Sequence, residues 1–299
     1  MSQAVAAASP WRSILVHADS SDAALRRLAL AHALALQHDA MLTALYACSP
    51  QLAESSNVFS ASAASVDHIE LELAERQARV RDAFQALVGT TPLQLQHGGA
   101  GRDGTAPLRR WAQIAGEAAA PAFAQQAMHA DLLVLGHHDP ADPASRELPP
   151  NFVESVLIGS GRPALVLPRA VPEQPPRGPA VVAWKASPES ARALVNALPL
   201  LRAASAVHVV AWGEAPSHAI GARIDVQAHL AAHGIDATLQ RERAVPSNVG
   251  AALLAIVAEL KAELLVMGCY GHSRTRELLL GGASRTLLQS MNVPVLMSH

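Results

Sequence analysis

The chain has 299 residues, room for two ordinary domains, and its 50% hydrophobic and 16% charged residues exclude a disordered chain. Lys and Arg number 23 against 25 Asp and Glu, so there is no broad basic surface to track nucleic acid. Two cysteines, Cys48 and Cys269, without CxxC or Cys/His spacing, exclude a disulfide framework and a structural zinc site.

Aromatic residues are only 3%, so the cores must be built from Ala, Leu and Val, which suits helices packed on parallel strands buried on both faces. Met1 to Ser13 lacks the cationic start and apolar core of a secretory signal, and no run of roughly 18 apolar residues occurs. The expectation is a cytoplasmic protein that does not enter the membrane.

In chain order, a strand is expected near 13–18, followed by the polar turn Asp19-Ser-Ser-Asp22 and a helix to Gln37. Arg26, Arg27, His32, His38 and Asp39 interrupt the apolar run from Ala23 to Ala47, as on the solvated side of a helix leading into a strand near 41–47. Ser49 to Ser65 and His97 to Ala106 lack periodicity and read as inserted surface loops. The second contains Gly99-Ala-Gly101-Arg-Asp-Gly104, a literal GxGxxG that precedes a strand instead of joining strand to helix, which argues against a dinucleotide site. Further strands are expected near 109–115, 131–136 and 163–167.

Five prolines fall between Pro168 and Pro179, a run that fits neither a helix nor a central strand and reads as a stiff linker. Beyond it the order of signals recurs, with strands near 180–184, 206–212, 236–241, 263–268 and 293–297. Ala130-Asp-Leu-Leu-Val-Leu-Gly136 matches Ala262-Glu-Leu-Leu-Val-Met-Gly268, and Asp131 to Pro163 spans 32 positions where Glu263 to Pro294 spans 31. From first strand to strand-end glycine the copies differ, 122 positions for Ile14 to Gly136 and 87 for Val181 to Gly268, so the first copy carries the insertions. Helices fill most gaps, giving βαβ connections and a mostly parallel sheet.

The chemistry concentrates in Gly268-Cys-Tyr-Gly271, followed by Gly281-Gly282-Ala-Ser284 just before a helix ending near Gln289. A chain leaving a strand must turn sharply there, and glycine lets bare N–H groups approach phosphate oxygens. A helix N-terminus beyond the second glycine pair favours an anion further. The first copy has His137-His138-Asp139 and Pro149-Pro150 where its glycines would stand, so no cradle is expected there. Adjacent histidines point in different directions, which sets those residues aside as a metal site. A Walker Gly-Lys-Ser/Thr pattern is absent. No nucleophile arrangement and no paired carboxylates stand beside the glycine loop, so no catalytic residues and no metal ligands are assigned.

Gly268, Gly271 and Gly281 at this spacing, the repeat, and the closing Asn292-Val-Pro-Val-Leu resemble the universal stress protein family, here as a tandem of two domains. The resemblance implies domains at 1–168 and 180–299 joined by a linker at 169–179. Each would be a five-stranded parallel sheet of order 3-2-1-4-5 with helices on both faces. It implies a stress-response regulatory protein of the binding-module type, with a slow ATP hydrolase or a ligand-free dimerisation module as the alternatives, which leaves the enzyme question open. The implied ligand is ATP or another adenine nucleotide. Its site is the C-terminal crevice of Ala183, Trp184, Lys185, Met267, Gly268, Tyr270, Gly271, Gly281, Gly282, Ala283 and Ser284. The family's ATP binders carry an Asp after the first strand and a hydroxyl after the third glycine. This chain has Asp19 in the first copy, Lys185 in the second, and Gly282 in place of the hydroxyl. The resemblance further implies pairing of the two last strands, making the monomer a pseudo-dimer, and leaves a homodimer open.

Overall fold

The structure, a computed structural model, describes residues 11–48, 63–89, 108–114, 119–139, 141–142, 147–214, 225–269 and 282–299. The first half runs β1 (Ser13–Ala18), α1 (Asp22–Gln37), β2 (Met41–Tyr46), α2 (Ala63–Val88), β3 (Arg109–Gln113), α3 (Ala119–Ala127), β4 (Leu132–Gly136), α4 (Phe152–Ser160) and β5 (Ala164–Leu167). The second repeats that order as β6 (Ala180–Trp184), α5 (Pro188–Ala203), β7 (Val207–Trp212), α6 (Val226–Ala232), β8 (Ala237–Glu242), α7 (Val249–Glu259), β9 (Leu264–Gly268), α8 (Gly282–Ser290) and β10 (Val295–Ser298). All ten expected strands are present with small shifts at their ends. The insertion expected over Ser49 to Ser65 ends inside α2, which already includes Ala63 to Ser65. Its remainder and the glycine-rich His97 to Ala106 lie outside the described residues.

The strands form one sheet in the order β3-β2-β1-β4-β5-β10-β9-β6-β7-β8. All neighbours are parallel except β5 and β10, where Val166 faces Val295 and Ala164 faces Met297. Counted within each half the order is 3-2-1-4-5. Because the central pair is antiparallel, the C-terminal ends of the strands point to opposite edges of the sheet in the two halves.

Both faces of the sheet are covered, which is why strands such as Leu132-Leu-Val-Leu135 are apolar without alternation. On one face Ile14, Val16 and Val182 pack with Leu28 of α1 and Leu194 of α5. On the other, Leu15, Leu133 and Leu265 pack with Phe123 of α3, Val156 of α4 and Leu287 of α8. Leu165 of β5 and Leu296 of β10 belong to the first of these cores, so it runs through the junction between the halves.

Two devices fix the chain around the strand ends. Ser21 and Ser187 cap α1 and α5, each hydroxyl accepting a backbone N–H three residues on, from Ala24 at 3.2 Å and Ser190 at 3.3 Å. The Asp131 carboxylate accepts the N–H groups of Arg12 and Ser13 at the entry to β1, at 2.8 and 2.9 Å. Glu263 does the same ahead of β6, accepting from Arg177 and Gly178 at 2.9 and 2.7 Å. The proline-rich linker is therefore stapled down; Val171 joins the core, and Pro175 and Pro176 are buried.

Candidate ligand-binding crevices

In a doubly wound sheet, ligands gather beyond the C-terminal ends of the two neighbouring strands whose connections leave in opposite directions. Those strands are β1 and β4 in the first half, β6 and β9 in the second. Val16 pairs with Val134 and Val182 with Val266, so the halves can be superposed residue by residue. Gly136 then corresponds to Gly268, His17 to Ala183 and Asp19 to Lys185. Counting on from the caps, Arg27 corresponds to Ala193.

The first crevice is filled by its own side chains. Arg27 is 2% exposed, although the sequence suggested a solvated helix side. Ala24, Arg27, Leu28, Ala31 and Leu34 form the buried stripe of α1 at helical spacing, and that period was the available signal. Nε of Arg27 donates to the His17 carbonyl at 2.7 Å and Nη2 to Asp19 Oδ2 at 2.7 Å. The guanidinium lies over Gly136, where a Cβ would be 2.9 Å from Cζ. Asp19 accepts both the N–H and the hydroxyl of Ser21 on its other oxygen. Burial acts to raise the Asp19 carboxyl, but the Arg27 charge foremost, with His17 and Ser21, holds it down at about 2.

His17 completes the cluster. Its Nε2 lies 2.9 Å from the Ala47 carbonyl, which can only accept, so that nitrogen carries the proton. The ring packs 4.6 Å from Phe152 and 5.5 Å from Phe123. Burial lowers its pKa to about 4, against the pull of Asp19. A cleft of about 120 Å³ remains beside this cluster, bordered by Arg26, His137, Pro149 and the linker residue Arg169. Arg169 reaches Asp139 at 2.5 Å. Among the described residues no group of three or more His, Cys, Asp or Glu side chains is arranged to hold a metal, His137, His138 and Asp139 included.

The second crevice lacks this filling. Ala183 stands in place of His17, Ala193 in place of Arg27, and Lys185 is exposed on the turn into α5. The Lys185 carbonyl accepts the Ser187 N–H at 2.7 Å. Ala183 pairs with Met267, and Trp184 and Ala183 are half-buried. Gly268 ends β9 so close to the start of α5 that a Cβ would lie 2.5 Å from the Ser190 nitrogen and 2.6 Å from the Glu189 carbonyl carbon. Only glycine fits there. Gly282 opens α8 with no atom of the described residues within 4 Å of where a Cβ would stand, Ala283 sits against Gly250 of α7, and Ser284 is buried. The structure thus brings Ala183, Met267 and Gly268 together at the strand ends, while Tyr270, Gly271 and Gly281 lie outside the described residues. Cys269 is buried, and burial foremost, then the Glu189 charge, pushes its thiol up to about 12, which keeps it protonated.

The architecture is that of a doubly wound α/β protein with two switch-point crevices. Residues 177–299 match the sequence model of the universal stress protein family. A universal stress protein from Archaeoglobus fulgidus DSM 4304 has a similar structure at 16% identity and a TM-score of 0.62, over 96% of each chain. A protein of unknown function from Pseudomonas aeruginosa PAO1 is similar at 17% identity and a TM-score of 0.54, over 98% of this chain and 94% of its own. At such identities the likeness establishes the fold over nearly the whole length. No curated protein matches the chain in sequence. No helix among the described residues is long and apolar enough to cross a membrane.

Proposed function

We propose that the chain is a stress-response regulatory protein that binds ATP or another adenine nucleotide in its C-terminal crevice and acts as a binding module without catalysis. The observation that carries this is Gly268, which ends β9 at the switch point so near the first turn of α5 that a Cβ there would lie 2.5 Å from the Ser190 nitrogen. A strand-end glycine also leaves backbone N–H groups bare, where a side chain would shield them from a ligand. The reading extends to the N-terminus of α8, which starts at Gly282 and favours an anion. Gly268 and the first turn of α8 would hold phosphates, with Gly271 and Gly281 between them in sequence. Lys185 would meet an anion or the nucleoside end from β6.

We further propose the division into domains at 1–168 and 180–299 with a linker at 169–179. The antiparallel β5–β10 contact supports reading the monomer as a pseudo-dimer of these domains. Nucleotide released by denaturing the purified protein and identified by mass tests the ligand assignment. An adenine nucleotide at no more than one per chain is expected. Neither co-purified nucleotide nor binding of ATP at millimolar concentration would leave a ligand-free structural module. Single-turnover incubation with ATP should release no phosphate; measurable hydrolysis would make the protein an enzyme instead.

A further inference from the structure

In the N-terminal crevice the polar groups a ligand would use are engaged within the protein. The Arg27 guanidinium holds the Asp19 carboxylate and the His17 carbonyl at 2.7 Å each and covers the strand-end glycine Gly136. Asp19 and Arg27 are both more than nine-tenths buried, 6% and 2% exposed. The equivalent positions of the C-terminal half, Lys185 and Ala193, carry neither the acceptor nor the plug. We propose that Arg27 is a built-in occupant of the N-terminal crevice, standing where a nucleoside would lie, and that removing its guanidinium opens a site for a neutral nucleoside.

The ligand class follows from what the crevice retains. Asp19 keeps the Ser21 N–H and hydroxyl on one oxygen, while its other oxygen, freed of Arg27, needs a donor, which a ribose hydroxyl supplies. The same carboxylate repels phosphate, and Asp139, Pro149 and Pro150 stand in place of the glycines that would cradle one. The guanidinium occupies the space over Gly136 and takes both Asp19 and the His17 carbonyl, so the native side chain and a nucleoside on Asp19 exclude one another. Gly136 is what gives the guanidinium, or a ligand in its stead, room above the strand end. This inference rests on reading the crevices as nucleotide sites.

Calorimetric titration of the full-length wild type and Arg27→Ala with adenosine tests it. The variant should bind one more adenosine per chain than the wild type, the extra site should vanish in Arg27→Ala/Asp19→Ala, and millimolar guanidinium should compete for it. A folded Arg27→Ala with no added site, or an added site indifferent to Asp19, overturns the proposal. If Arg27→Ala does not fold, Arg27→Ala/Asp19→Asn removes the uncompensated charge and keeps a carbonyl acceptor. The same added site is then expected, and its absence is equally decisive. An added site in the variant with no nucleotide bound by the wild type would refute the C-terminal assignment alone. ATP binding by the wild type with no added site in the variant would refute the Arg27 proposal alone.

Discussion

The two crevices share a scaffold and differ in what fills it. In the N-terminal half a helix arginine, a strand-end aspartate and a buried histidine close the switch point with internal bonds. In the C-terminal half those positions are Ala193, Lys185 and Ala183, and the strand-end glycine is pressed against a helix N-terminus instead. A repeat can thus keep its sheet order and core while one copy closes its crevice with a buried ion pair. The core constrains most residues of the inner strands, whereas the crevice depends on three or four side chains at the strand ends and on the first turns of two helices.

The comparison breaks most visibly at Arg27. Arg27→Ala strands a buried carboxylate, and loss of one partner of a buried pair costs about 3–5 kcal/mol. Lys185→Ala, on the exposed turn, should change stability by no more than about 0.5 kcal/mol. Hydrogen exchange on both variants resolves which half is affected. Equal effects, or a larger effect from Lys185, would contradict the difference described.

Acid should separate the halves next. His17 has a folded pKa of about 4 against an ordinary 6.5, so the unfolded chain binds its proton first. The stability contributed by neutral His17 is complete above pH 6.5 and is lost as pH falls toward 4, about 3 kcal/mol in all. Asp19, held at about 2 against an ordinary 3.8, contributes stability above pH 3.8 that is lost as pH falls toward 2, roughly 2 kcal/mol more. Strand β1 and helix α1 should therefore lose exchange protection between pH 6.5 and 4 before β6 and α5 do. Simultaneous loss would show that the buried cluster does not govern the N-terminal half.

The strand-end glycines sharpen the contrast at a smaller scale. Gly268→Ala pushes against backbone atoms of Glu189 and Ser190, which cannot turn aside, and should cost about 1–3 kcal/mol centred on α5. Gly136→Ala meets the end of the Arg27 side chain first, so its damage should centre on the Asp19–Arg27 pair. Thermal denaturation with residue-resolved exchange reads both; damage from Gly268→Ala confined to the first half would be inconsistent with this packing.

The smallest expected effect concerns specificity. Lys185→Asp supplies the acceptor that Asp19 represents in the other half, and one recovered hydrogen bond of about 0.5–1.5 kcal/mol should tighten adenosine several-fold. Weakened ATP with unchanged adenosine would place Lys185 on phosphate instead.

Much of this fold was legible in the chain. Apolar strings such as Ala130 to Gly136 and Ala262 to Gly268, with serine caps and a proline run between copies, carry their structure locally, and all ten strands appear where they were expected. Arg27 was not legible as a crevice residue, because a charge on an apolar helix is usually solvated. Its partner Asp19 lies eight positions away across a strand-to-helix turn, and only the three-dimensional approach of α1 to Gly136 joins them. The glycine pattern pointed to Gly268 for phosphate access; the structure adds that close packing against α5 also requires glycine there. The linker read as a stiff spacer, yet Pro175 and Pro176 are buried and Val171 joins the core, so it packs on the protein and does not stand off from it.

The central claim is that ligand enters one half only. Titrating isotope-labelled wild type with ATP while following backbone amide signals tests it directly, since stoichiometry and location come from one experiment. The account predicts saturation at no more than one ATP per chain, with shifts at Lys185, Gly268 and the first turn of α8 and none at Asp19, Arg27 or Gly136. Two equivalent sites, or shifts confined to the residues around Gly136, would contradict it.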